Sequence, residues 1–177
     1  MCSMESLKID LNSLDEGLTT FSYDLGDDYF EAMDGSETRR GDVHVDVSVN
    51  RSGGLFRFDF HTEGTVHVPC DVCLDDMEQD VSTDSSLTAR LGDKYSEDDD
   101  LIIVGKDEGL LDVSWFIYES VALAIPIKHV HAPGKCNPAM IKVLEEHSAA
   151  RSGEGDGEGP ADSRWSELEK LRIIIKD

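Results

Sequence analysis

Positive charge is scarce in this sequence: 16 Lys and Arg stand against 38 Asp and Glu, leaving a formal net charge of -22. A surface of that sign repels phosphate backbones and attracts cations, so basic proteins suit it better than bare RNA. Long apolar runs are missing too. None approaches the ~20 residues of a membrane span, and the start, Met1-Cys2-Ser3-Met4-Glu5, has neither the basic nor the apolar part of a secretory signal. The expected location is therefore cytoplasmic, with no membrane partner. Cysteines number only 4, and in a reducing compartment they read as free thiols or a metal site rather than disulfides. Aromatics make up 7% and hydrophobic residues 39% of 177 positions, which suits one buried core with unpacked segments beside it. There is no P-loop, GxGxxG, HExxH or GxSxG motif, and the scattered histidines form no triad in chain order. The chain thus reads as non-enzymatic, with no small-molecule substrate.

What is present is strand periodicity. Val43, Val45, Val47 and Val49 alternate with His44, Asp46 and Ser48, the period of a half-buried strand. Asn50 to Gly54 reads as a turn, and Phe56, Phe58 and Phe60 return on one face, giving a hairpin whose valine and phenylalanine faces coincide. Gly64 is expected to bend the chain. Beyond it, Val66, Val68 and Cys70, then Val81 through Leu91, predict a second hairpin with Cys70 and Cys73 near its tip. Asp93 to Asp100 reads as a solvated acidic loop leading to a short strand at Leu101 to Val104. Residues 1–40, with Leu7, Ile9, Leu11 and Leu14 as their patterned positions, predict an arm or one edge strand. The fold class is α+β: an antiparallel sheet of hairpins, one buried helix and small C-terminal helices.

Asp112 to Ile125 is apolar at nearly every position, which predicts a helix buried on most sides, capped by Asp112 and stopped by Pro126. Glu119, its one interior charge, and Trp115 are expected as structural anchors of that helix. Residues 41–147 form the predicted core. Residues 148–161, rich in Gly and acid, read as a flexible linker, and 162–177 as a C-terminal helix with Trp165, Leu168 and Leu171 on one stripe. That helix fits docking on its own core or a partner-binding arm, in which Arg164, Trp165 and Leu168 would make the contact.

Cys70-Asp71-Val72-Cys73 sets two thiols across a tight turn, a spacing from which both sulfurs can face one metal ion. The loop after the helix offers His129, His131 and Cys136, and Cys70, Cys73, His131 and Cys136 together would close a four-ligand structural zinc site stapling hairpin tip to loop. The same residues also read as unliganded thiols beside an ordinary loop histidine. A redox CxxC is the enzymatic alternative, but it needs a helix N-terminus and cationic neighbours, whereas Asp71, Asp75, Asp76 and Glu78 flank this pair.

The order of these pieces, from Gly64 through Cys70-Asp71-Val72-Cys73-Leu74, the acidic loop and the helix with Tyr118-Glu119 and Leu123-Ala124-Ile125-Pro126, resembles the YceD family of large ribosomal RNA accumulation factors. His131 and Cys136 match the family's His and Cys after the proline, and Asp162-Ser163-Arg164-Trp165 resembles its Asp-Pro-Arg-Trp element. Val72 and Ser163 depart from the family's usual Arg and Pro. The resemblance covers roughly residues 40–175 and implies a non-catalytic role in accumulation of large-subunit rRNA. Joined to the charge, it implies an acidic factor that binds a basic large-subunit ribosomal protein or assembly factor. Direct rRNA contact is the rival, through the cations Arg39, Arg40, Arg51, Arg57, Lys128, Lys135 and Lys142. A zinc or redox protein unrelated to ribosomes is the reading from another class.

Overall fold

The computed structural model describes residues 7–35, 38–93, 96–98 and 101–147. The expected hairpin is its centre. Strands β3 (Gly41–Ser52) and β4 (Leu55–Pro69) pair antiparallel in the register Val47↔Phe60 and Val49↔Phe58. These four side chains are all buried on one face. Gly53 and Gly54, at φ 58° and 84°, form the two-residue turn; positive φ at both central positions is the hairpin geometry whose twist matches the flanking strands. The second hairpin continues from it: β5 (Asp76–Gly92) pairs with the whole of β4, and Cys70 to Asp75 form the tip. The strand β4 runs unbroken through Gly64, where a bend was expected.

The first forty residues hold more than an arm or one edge strand. Strand β2 (Gly17–Leu25) pairs along β3 and closes one edge of the sheet. A short helix, α1 (Asp27–Met33), buries Tyr29 and Phe30, and β1 (Lys8–Asp10) forms a small ribbon with β8 (Leu110–Asp112). The core also takes in residues before 41: Leu7, Ile9, Leu11 and Leu14 are all buried beside the valine and phenylalanine rows. At the other edge the sheet departs from the antiparallel expectation. Within the expected loop Ser96–Asp98 is a strand, β6, and β7 (Leu101–Gly105) doubles back from it to lie parallel to β5, with Ala89 opposite Ile102. The main sheet runs β2-β3-β4-β5-β7-β6.

Helix α2 (Ser114–Ala124) covers the inner face of the sheet. The Asp112 carboxylate accepts the Ser114 N–H at 3.0 Å, and the chain turns extended at Ile125 before Pro126, so both ends are as expected. The helix is buried or half-buried over most of its surface, as expected, and one stripe of it is open. Ile117, Tyr118, Ser120 and Val121 face the core, whereas Glu119 and Trp115 lie on the exposed side. Small Ser114 and Ser120 take inward places that let the helix approach the sheet. Ser120 Oγ reaches the Phe116 carbonyl and Ser85 Oγ, each at 3.0 Å. Glu119 and Trp115 are therefore not core anchors.

A third helix, α3 (Pro138–His147), follows. The chain divides into two units, Met1–Ile141 and Lys142–Asp177. The expected linker at 148–161 and the Trp-bearing helix at 162–177, with Arg164, Trp165 and Leu168, lie outside the described residues. No described helix is long and apolar enough to cross a membrane.

Candidate metal centre

The tip of the β4–β5 hairpin folds back on itself. The Leu74 N–H donates to the Cys70 carbonyl at 2.9 Å and the Cys70 N–H to the Asp75 carbonyl at 2.8 Å. Leu74 takes a left-handed conformation, φ 60°, to complete the turn. This knuckle turns both Cys70 and Cys73 inward, and both are buried. The loop after α2 is laced to it. The Asp71 N–H donates to the His129 carbonyl at 3.0 Å, and the His129 N–H donates to the Asp71 carboxylate at 2.8 Å. Asn137 Nδ2 donates to the Asp75 carboxylate at 3.0 Å, while its own oxygen accepts the Ala139 N–H at the start of α3. Asp71, Asp75 and Asn137 were not singled out as members of the site, their sequence signal being only that of ordinary turn residues; His129, offered by the same loop, contributes its backbone to the lacing rather than a ligand atom.

This lacing brings His131 and Cys136 to the knuckle. Cys70 Sγ lies 3.9 Å from Cys136 Sγ and Cys73 Sγ lies 3.4 Å from His131 Nδ1. All four ligand atoms fall within 4.8 Å of one another. The four residues proposed from chain order do meet at one point and could hold a metal ion. A tetrahedral zinc with sulfur ligands at ~2.3 Å would set sulfurs about 3.8 Å apart, so the donor spacing fits.

Electrostatics agree. Burial works to raise the Cys70 thiol, but the N–H groups of Cys73, His131 and Val72 and the His131 side chain point at its sulfur and hold it at about 6. Burial and the neighbouring Cys70 and Cys73 sulfurs push Cys136 up to about 11. Thiols crowded this way repel one another as anions, and a divalent cation at their centre removes the repulsion. The tip joins two strands and lies at no helix N-terminus, so the arrangement a redox CxxC uses is not formed here.

Two further surfaces bear on function. On the outer face of the sheet, pairing across β2 to β5 sets Asp24, His44 and Glu63 in one row and Asp46, His61 and Asp84 in the next. With Asp42, Asp59, Glu78 and Asp80, all exposed, this face faces solvent as a field of carboxylates among which Arg57 and Arg90 are the arginines. Five of the seven cations considered for RNA are paired with carboxylates. Arg40 binds Asp76 at 2.7 Å, Arg57 binds Asp59 at 3.2 Å, Arg39 lies 3.8 Å from Asp34, and Lys142 lies 3.9 Å from Glu146. Arg51 donates to the Leu14 carbonyl and lies 3.7 Å from Glu16.

The histidine rows predict a pH dependence. A hydrogen bond donated to the Asp24 carboxylate at 2.6 Å raises His44, and one donated to the Asp84 carboxylate at 2.7 Å raises His61, above the usual histidine value. A raised value means the folded state favours the protonated ring. The stabilisation is complete below the unfolded value of about 6.5 and is lost as pH climbs through the raised folded values. The wild type is therefore expected to melt above a His44→Gln, His61→Gln variant at about pH 6, with the gap closing by about pH 9. A gap that stayed constant across this range would show that the rings do not titrate with folding.

The fold and this site define an α+β protein with a Cys3His cluster joining a hairpin tip to the loop after its packing helix. The sequence matches the family described as large ribosomal RNA subunit accumulation protein YceD over residues 58–172, well over half of the chain. The chain belongs to the YceD family, whose description implies a role in accumulation of the large ribosomal RNA subunit. The match takes in all four cluster residues. No curated protein and no solved structure matches the chain.

Proposed function

We propose that this chain is a non-enzymatic factor that supports accumulation of large-subunit ribosomal RNA by binding a basic ribosomal protein or assembly factor. Family membership supplies the process. The observation that carries the partner is the outer sheet face, where carboxylates stand at neighbouring register positions across β2 to β5. Such a field speeds encounter with a polycation and opposes RNA, and the pairing of five of the seven cations considered for RNA with carboxylates supports the same choice.

In this reading Cys70, Cys73, His131 and Cys136 hold a structural zinc. Soft thiolates with one imidazole suit that metal, and four protein ligands fill its tetrahedron, leaving no position for substrate. The metal would fix the loop after α2 to the hairpin tip and so fix the surface a partner meets.

The test is affinity capture of the tagged protein from lysate at moderate salt, with and without RNase. Basic large-subunit proteins should remain bound after RNase. If RNase strips every ribosomal component, the protein-binding mechanism is wrong and the contact runs through RNA.

A further inference from the structure

Among the described residues, nothing covers the stripe of α2 turned away from the sheet. Trp115, Glu119 and Leu123 recur at every fourth residue and so stand in one stripe. All three are exposed, Trp115 by 57% and Leu123 by 81%. The Trp115 indole stacks on Tyr118 at 5.5 Å between ring centroids. Tyr118 is itself buried, with its hydroxyl donating to the Thr38 carbonyl at 3.2 Å, so the indole rests on a fixed support and loses little freedom on binding. Between the two apolar side chains stands Glu119, which has no hydrogen bond or ion pair among the described residues.

Two apolar side chains with an unpaired carboxylate midway fit one kind of occupant, an amphipathic helix with a Lys or Arg between two apolar anchors. A second copy is a poor match. Two such stripes laid antiparallel would set Glu119 against Glu119, between chains of formal charge -22 each.

We propose that this stripe is the anchoring surface for a cationic amphipathic helix of the partner, an inference that rests on the basic-partner reading above. The two surfaces divide the work. The carboxylate face of the sheet sets the rate of encounter and its salt dependence, and the α2 stripe sets residence time, because apolar anchors are insensitive to screening.

The experiment uses the full-length chain carrying Trp165→Phe, so that Trp115 is its one fluorophore of this type. The probe is a synthetic amphipathic helix with a leucine face and one central Arg. Its addition should shift Trp115 emission to the blue. Leu123→Asp and Glu119→Arg, both at exposed positions, should each weaken binding about tenfold or more, mainly by faster dissociation. A peptide with Glu in place of its central Arg should bind Glu119→Arg better than it binds the unchanged stripe, a reversal that mere damage to the helix would not produce. Binding indifferent to both substitutions overturns the proposal. So does a Trp115 already shielded from acrylamide in the chain alone, which assigns the stripe to the chain's own residues 162–177, or shielded with rising protein concentration, which assigns it to a second copy. Recovery of basic ribosomal proteins after RNase alongside any of these failures sinks the stripe and leaves the basic-partner reading standing.

Discussion

If the Cys70, Cys73, His131 and Cys136 group holds zinc as proposed, chelation, or replacing Cys73 with Ser, is expected to lower the melting temperature by roughly 10 °C, from a loss of about 3 kcal/mol in a domain of this size. The reasoning starts from what holds the hairpin tip. Residues 70–75 lie beyond the last paired position, Pro69↔Asp76, and are fixed by a few hydrogen bonds to the loop around His129 and Asn137. These bonds are largely exposed and individually worth little. Four ligands on one ion would contribute far more. The sheet itself rests on the valine and phenylalanine rows, so loss of the metal should free the tip and the loop without abolishing the fold. The expected result is near-stoichiometric zinc in gently purified protein, less than half of it in Cys73→Ser, and faster amide exchange confined to residues around the tip and loop. Zinc-free protein with an unchanged melting temperature on chelation would mean that the cluster holds no structural metal.

What the sequence disclosed and what it hid follow from the same physics. The β3–β4 hairpin was legible because every inward position from Val43 to Val49 and from Phe56 to Phe60 is apolar and every outward one is not. Strand β2 shows the opposite case. Its inward positions are Thr19, Phe21, Tyr23 and Leu25 and its outward end carries Leu18, so the alternation is blurred at the start. The short helix α1 offers too few turns for a period to show. The parallel placement of β7 depends on a reversal through β6, and four apolar residues followed by a glycine carry no information about direction. The candidate cluster was legible because few residue types bind zinc: the CxxC and the loop after α2 offered Cys70, Cys73, His129, His131 and Cys136, and the family resemblance pointed to His131 and Cys136. The pairs that bring them together, Asp71 with His129 and Asp75 with Asn137, use residues found in any turn. Helix α2 misled for a related reason: with apolar side chains nearly all round, its sequence does not say which side meets the sheet, and Glu119 was assigned to the interior when it faces out.

A second large effect is expected at Gly64. Replacing it with Ala should cost about 3 kcal/mol or more, enough to shift the melting temperature by roughly 10 °C. At φ 154° this residue occupies backbone space that L side chains rarely enter. A Cβ there would lie 2.3 Å from the Asp42 carbonyl oxygen and 2.6 Å from Val43 Cα. Both are backbone atoms of the neighbouring strand, so no side chain can rotate away to relieve the clash. Gly64 is paired with Val43 on one side and Val81 on the other, and any shift must therefore open a ladder on one of them and disturb the row that buries Val43 and Val66. Gly53, at φ 58° with nothing within 4 Å of its added Cβ, is the control. Asn tolerates that left-handed turn position, and Gly53→Asn should change stability by less than about 0.5 kcal/mol. Thermal unfolding of the two variants side by side separates close approach of strands from turn flexibility. Equal melting temperatures for Gly64→Ala and the wild type would mean that β3 and β4 are not as close at this point as the structure places them.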